Sequence, residues 1–220
     1  MSSKTAILKW LWNKHGLGGV ILYISRKLFW PSREGTSSRI FLFVLDKPRP
    51  TAAGIEAAKD HLFRFATRED LLNLQQEAAW DIHDRDIAAF DKGDRCLLQL
   101  DGDKLVGYAW LAGSQLVEIM WGFHYNMPDD VVYNYKGFTN PEYRGCGFQP
   151  LRHLKLLEFV KQQGQHRLFG YVDHLNFNSL RGVRKSGYRK IGSLHCVIKN
   201  GQAKFNLKVT DDSWSRSKRT

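Results

Sequence analysis

Arg144, Gly145, Cys146 and Gly147 stand at the junction of two segments with different periods. Before them, Val131, Val132, Tyr133, Tyr135, Phe138 and Thr139 form a run rich in β-branched and aromatic residues, which predicts a strand. After them, Leu151, Leu154, Leu157 and Val160 recur at helical spacing, which predicts a helix over about 149–163. Pro150 suits that helix only in its first turn, where the N–H has no intrahelical acceptor. Strand, glycine-containing loop (Asn140 to Gly147) and helix start, in this order, aim free backbone N–H groups and the positive helix end at one place. The chemistry this arrangement serves is anion binding.

A second group of residues could move protons. Glu118, His124, Asp129, Asp130, Tyr133 and Tyr135 cluster just before or on the same strand. His124 titrates nearest neutrality, and Glu118 lies on an expected strand at 115–123. Each of them also fits as an ordinary surface or packing residue. Trp110, Trp121, Phe123, Tyr125, Tyr133 and Tyr135 could line a pocket or fill a core. Cys146 reads as a small loop filler, because no His or Asp arrangement points to it as a nucleophile.

The elements that must position these groups are mixed α/β. Arg39 to Leu45 predicts a buried strand, and 47–54 a proline-containing connection. A strand at 61–66 leads into Thr67-Arg-Glu-Asp70, which has the form of a capping box with Asp at the third helical position. Helices are expected at 68–76 and 81–91. A hairpin, 95–100 and 104–112, turns at Asp101-Gly102-Asp103. The strand at 115–123 follows, and His124 to Asp130 reads as a polar turn. After the strand–loop–helix unit come a strand at 167–173, parallel to the first by a helical crossover, and a helix over 178–186 closed by Gly187. A hairpin of 192–199 and 203–209 ends the pattern.

The chain has 220 residues, 43% of them hydrophobic, enough to build one domain with a true core. Its net charge of +11 favours anionic partners. Lys and Arg are dispersed and no nucleic-acid motif occurs, so specific nucleic-acid binding is not expected. Three cysteines without a Cys-x-x-Cys give no disulfide framework and no zinc or other metal site, which suits a cytoplasmic setting. No stretch approaches the ~20 apolar residues needed to span a bilayer. Residues 1–38 form a basic, amphipathic extension. It is expected to pack on its own domain or a second subunit, as in a homodimer, or to lie on an anionic membrane surface. Residues 39–210 form the main domain and 211–220 a polar tail.

Pro141-Glu-Tyr-Arg-Gly-Cys-Gly147, between a strand and a helix, resembles the coenzyme-binding loop of the GNAT acyltransferase superfamily. Downstream, Asn176-x-x-Ser179 and then Lys185-Ser-Gly-Tyr188 resemble that family's later Asn…Lys-x-Gly-Phe segment, in the right order and over residues 61–209. The resemblance implies a GNAT fold, in which two parallel central strands splay and admit acetyl-CoA or another acyl-CoA. It implies that amides from Arg144 through Gly145, Cys146, Gly147 and Phe148 to Gln149 surround the diphosphate, with Arg144 able to contact it or to pair with Glu142. It implies that the Phe138 and Thr139 backbone pairs with the pantetheine, and that Asn176 or Asn178 bonds the pantetheine or the acceptor, unless each simply caps its helix. The implied reaction is direct acyl transfer to an amine or hydroxyl. Glu118 or His124 would be the base, or another group of that cluster.

Two departures stand out. Gln149 occupies a place where the family often has Gly or Ala, with Pro150 after it. Val183 occupies the place of a tyrosine acid, so Ser179 or water would protonate the leaving thiolate, or it would leave unassisted. Ser-Leu-Arg-Gly-x-x-Lys-x-Gly-Tyr also resembles a subgroup tied to cell-surface glycans, which suggests a sugar or glycan-precursor acceptor. A non-catalytic module that binds acyl-CoA or docks on a membrane is the alternative.

Overall fold

Among the described residues an eight-stranded sheet, with the strand order β10-β9-β1-β8-β7-β4-β3-β2, carries most of the fold beside a two-stranded one, β5-β6. The computed structural model describes residues 36–77, 80–120, 122–199, 202–211 and 214. In chain order the elements are β1 (Thr36–Leu45), α1 (Ala52–Ala57), β2 (Leu62–Phe65), α2 (Arg68–Gln76), α3 (Asp84–Asp91), β3 (Arg95–Asp101) and β4 (Lys104–Leu111). They continue with β5 (Leu116–Met120), β6 (Phe123–Asn126), β7 (Val131–Thr139), α4 (Phe148–Gln162), β8 (Arg167–Asp173), α5 (Phe177–Ser186), β9 (Arg189–Lys199) and β10 (Gln202–Val209). A short 3-10 turn, Pro141–Tyr143, links β7 to the loop before α4. Every neighbouring pair in the sheet is antiparallel except β7 and β8, which α4 joins in parallel.

The buried strand expected at 39–45 lies inside the sheet. It begins at Thr36 and lies between β8 and β9, pairing from Ile40↔Asp173 to Leu45↔Leu168 on one side and from Thr36↔Ile198 on the other. Its run of Phe41 to Leu45 is what a strand covered on both faces requires. Ile40, Leu42 and Val44 pack on one side of the sheet with Val131, Tyr133, Phe169 and Trp214. Phe43 and Leu45 pack on the other with Leu156, Leu157 and Val160 of α4. Trp214, in the segment expected as a polar tail, is fully buried and stacks on Phe169, so the core extends at least that far.

Three local expectations change. The proline-containing connection holds α1, started by Thr51, whose hydroxyl accepts from the Gly54 N–H at 3.1 Å. The second helix begins at Asp84 rather than at 81. Asp81 sits in the left-handed region at φ 54, and Asp86 reaches back to the His83 N–H at 2.9 Å to cap the helix there. The expected strand at 115–123 and polar turn at 124–130 are instead a hairpin, β5–β6, paired from Leu116↔Asn126 to Met120↔Phe123. Val117, Ile119 and Tyr125 point into the core while Glu118, His124 and Asn126 are exposed, a half-buried ribbon whose polar face hid the period of two. The Thr67–Asp70 capping box forms as expected, and Arg64 clamps Asp70 with two bonds of 2.6 and 2.8 Å. The basic segment 1–35 and Trp121 lie outside the described residues. Among those described, no helix is long and apolar enough to cross a membrane.

Candidate functional site

The glycine loop and the start of α4 form the sharpest feature at the C-terminal edge of β7. Gly145 and Gly147 have φ of 90 and 79, a region that side chains disfavour, so the turn is open only to glycine. Arg144, Gly145 and Cys146 are exposed. Gly147 is the N-cap of α4, no side chain caps that end, and no acid lies in its first turn. The N–H groups of Phe148 and Gln149 are therefore left without intrahelical acceptors, and Pro150 falls where its missing N–H costs nothing. The other four helices among the described residues are started by side-chain oxygens of Thr51, Thr67, Asp86 and Asn176.

The helix missed in the sequence braces this loop. A Cβ on Gly54 would lie 3.2 Å from the Gly147 carbonyl oxygen and 3.3 Å from that of Cys146. Gln149, the first departure from the family pattern, is accommodated in the same way. Its Oε1 would stand 2.6 Å from a Cβ on Gly182, so α5 has no side chain where Gln149 needs room.

β7 and β8 pair only at Val131↔Arg167, Val132↔Leu168 and Tyr133↔Phe169, then part. The C-terminal half of β7, including Phe138 and Thr139, thus has β4 on one side and no strand on the other. The base of the gap is closed by Tyr188, whose hydroxyl donates to Asn134 Oδ1 at 3.2 Å, while Asn134 Nδ2 donates to the Trp110 carbonyl at 2.7 Å. This gives Tyr188 of the Lys-Ser-Gly-Tyr segment a role. β7 is also bulged: its register with β4 runs Ala109↔Gly137 and then Leu111↔Asn134, so two residues, Tyr135 and Lys136, oppose Trp110. The bulge re-aims both side chains. Tyr135 donates to Asp94 Oδ2 at 2.6 Å, and the other oxygen of Asp94 accepts from the Gly113 N–H at 2.8 Å. Burial and that carboxylate push the Tyr135 phenol up. Lys136 reaches Asp86 at 2.7 Å and bonds the Asp81 carbonyl.

The other residues proposed for chemistry are dispersed. Glu118 and His124 leave β5–β6 on its exposed side, Glu118 accepting from the Gly122 N–H at 2.7 Å and His124 facing the Gly122 carbonyl at 3.0 Å. Asp130 is clamped by Arg167 at 2.7 and 2.8 Å, and the Arg167 bonds hold its carboxyl below the usual range. Asp129 is exposed. Asn176 caps α5 by accepting from the Ser179 N–H at 3.1 Å, and Asn178 is exposed. Arg144 bonds the Thr139 carbonyl at 3.2 Å and lies over the Phe138 ring.

Two residues were missed. Asp94 left no sequence signal, since only the fold brings it to Tyr135. Arg152 did leave one. It falls on the buried stripe of α4 defined by Phe148, Leu151 and Leu156, where a charge is out of place. It is 2% exposed, it donates to Gln99 Oε1 at 2.7 Å and to Thr139 Oγ1, and Gly107 makes room for it.

Comparison with known proteins agrees with the architecture. No family model and no curated protein matches the chain. Among solved structures it is similar to a putative acetyltransferase of the GNAT family from Novosphingobium aromaticivorans, with 13% identity over 80% of this chain and 66% of that one and a TM-score of 0.51. A GCN5-related N-acetyltransferase-like protein from Streptococcus suis aligns over 86% of this chain and 68% of its own, at 11% identity and a TM-score of 0.47. A putative acetyltransferase from Salmonella typhimurium, solved with acetyl-CoA, aligns over 69% and 95%, at 18% identity and a TM-score of 0.45. The chain has the GNAT fold: a mostly antiparallel sheet with one parallel pair and flanking helices.

Proposed function

We propose that the protein is an acyltransferase that moves an acyl group, acetyl in the simplest case, from coenzyme A to an amine or hydroxyl. The observation that carries this reading is the gap between β7 and β8, which leads to a glycine loop and a helix start that no side chain caps. In this reading the diphosphate lies on the amides from Arg144 to Gln149, and the pantetheine runs along the free side of Phe138 and Thr139 as an added strand would. The acceptor nitrogen or oxygen attacks the thioester carbonyl, the tetrahedral adduct collapses, the C–S bond breaks, and the thiolate leaves. Orientation in the gap and backbone N–H groups near the bulge supply most of the catalysis. The acceptor's proton passes to Tyr135 Oη as the Tyr135 proton passes to Asp94, so that Asp94 is the final base. The more accessible rings of Tyr135 and Tyr171, both packed on the buried Tyr133, suit a sugar-like acceptor, on which aromatic faces stack.

The test has two parts. Calorimetric titration with coenzyme A is expected to show stoichiometric binding, and its absence sinks the proposal. Release of free thiol from acetyl-CoA across a panel of amines, alcohols and amino sugars then identifies the acceptor. Asp94→Asn is expected to lower turnover by about 10²–10⁴-fold with coenzyme A affinity unchanged.

A further inference from the structure

Arg152 is a guanidinium taken almost wholly out of water. Its two partners, Gln99 and Thr139, are neutral, and Gln99 is itself fully buried. Among the described residues no carboxylate pairs with it, and burial alone draws its pKa down to about 10, so it stays charged near neutrality. The partners lead only to a distant, half-exposed acid: Gln99 Nε2 meets His61 Nδ1 at 2.9 Å, His61 Nε2 faces Asp101 at 3.9 Å, and Thr139 ends β7. A buried cation left without an anion is costly, and a methionine or leucine of similar volume would fill the space with less penalty. The position is also built around the charge. A Cβ on Gly107 would lie 2.9 Å from Arg152 Nη1 and 3.0 Å from its Cζ, so β4 opens where the guanidinium sits.

The fold says where an anion that answers this charge would lie. Arg152 lies just over one turn from the start of α4, beneath the uncapped helix end and the exposed glycine loop. Its bond to Thr139 ties it to the last residue before that loop, whose carbonyl also holds Arg144. The start of α4 around it is packed protein: Phe148 and Leu151 are buried. In such a medium a charge acts over distances at which water would screen it.

Resting on the coenzyme reading above, we infer that Arg152 is a positioning residue. Its buried charge is completed by a diphosphate on the loop, and it makes binding depend on that diphosphate rather than on the pantetheine arm. Thr139 and Gln99 hold it in place.

Coenzyme A and phosphate-free pantetheine, each titrated into wild-type protein, Arg152→Met and Arg152→Lys, test this. Arg152→Met is expected to weaken coenzyme A about tenfold or more, Arg152→Lys by only about threefold, and neither is expected to change pantetheine affinity. Equal coenzyme A affinity in wild type and Arg152→Met overturns the inference. So does a proportional loss for both ligands, which is what a merely structural role would give. If Arg152→Met does not fold, Gln99→Met, which removes the acceptor that holds the guanidinium, takes its place, with an expected loss of about threefold for coenzyme A alone; no selective loss again overturns it. If wild type binds no coenzyme A, the acyltransferase reading fails by itself. Inorganic pyrophosphate then decides the inference: it must raise the melting temperature of wild type and not of Arg152→Met.

Discussion

Two buried cations sit on the same sheet and are treated in opposite ways. Lys136, on the bulge of β7, is 16% exposed and meets Asp86, 7% exposed, at 2.7 Å, with the Asp81 carbonyl as a further partner. Arg152, under the start of α4, has two neutral partners and no acid among the described residues. The first is complete within the chain: it ties the bulge to α3 and asks nothing of solvent or ligand. The second is complete only when something negative arrives. Buried charge of the first kind holds a shape, and buried charge of the second kind stores a preference for a ligand.

Breaking the complete pair should have the largest effect. Asp86→Ala strands the ammonium of Lys136 and removes the cap of α3. It is expected to cost about 3–5 kcal/mol in urea unfolding, whereas Asp86→Leu combined with Lys136→Met recovers much of that loss. The same logic applied to Arg152 gives the reverse sign in the free protein. Arg152→Met is expected to unfold no more easily than wild type without coenzyme. With coenzyme A at a hundred times its wild-type Kd, wild type gains about 2.7 kcal/mol and the variant about 1.4 kcal/mol.

A third pair, Arg64 and Asp70, lies between these cases. It is bidentate but partly exposed, so water screens it. The Arg64 bonds hold the Asp70 carboxyl well below its usual value of 3.8, and its stabilisation is therefore present above that value and lost as pH falls through the lowered one. Asp70→Asn is expected to cost about 1 kcal/mol near neutrality. The gap to wild type should close as unfolding is followed below about pH 4. At the far end, Lys59 and Glu56 pair at 2.8 Å with 63% and 73% of their side chains exposed. Lys59→Gln is expected to change the unfolding midpoint by no more than about 0.5 kcal/mol allows.

What the sequence made legible follows from how local each signal is. The β7–loop–α4–β8 unit and the Thr67 box depend on residues a few places apart, and both stand where the spacing put them. α1 was hidden because its six residues carry no apolar stripe and lie beside prolines. β6 was hidden because the polar alternate residues of FHYN read as a turn. The central place of β1 depends on pairing with partners well over a hundred residues away, which no local pattern records. Within the site, the loop glycines were readable because a positive φ demands glycine. Asp94 was not, since its meaning is a contact with Tyr135 across the fold. Arg152 was readable in principle, as a charge on an apolar stripe, but helical leucines on either side drew it into the pattern.

The central position of β1 has a consequence for how the molecule is made. Among the described strands of the sheet, the first to leave the ribosome pairs with β8 and β9, among the last three. It must wait, unpaired and rich in Phe, Leu and Val, until both are synthesised, so folding is expected to be slow for the chain's size. A sheet lacking it keeps a slot bordered by β8 and β9, open along both edges. A separate peptide carrying Thr36–Leu45, added to such a chain, is the natural piece to fill that slot and make the sheet whole.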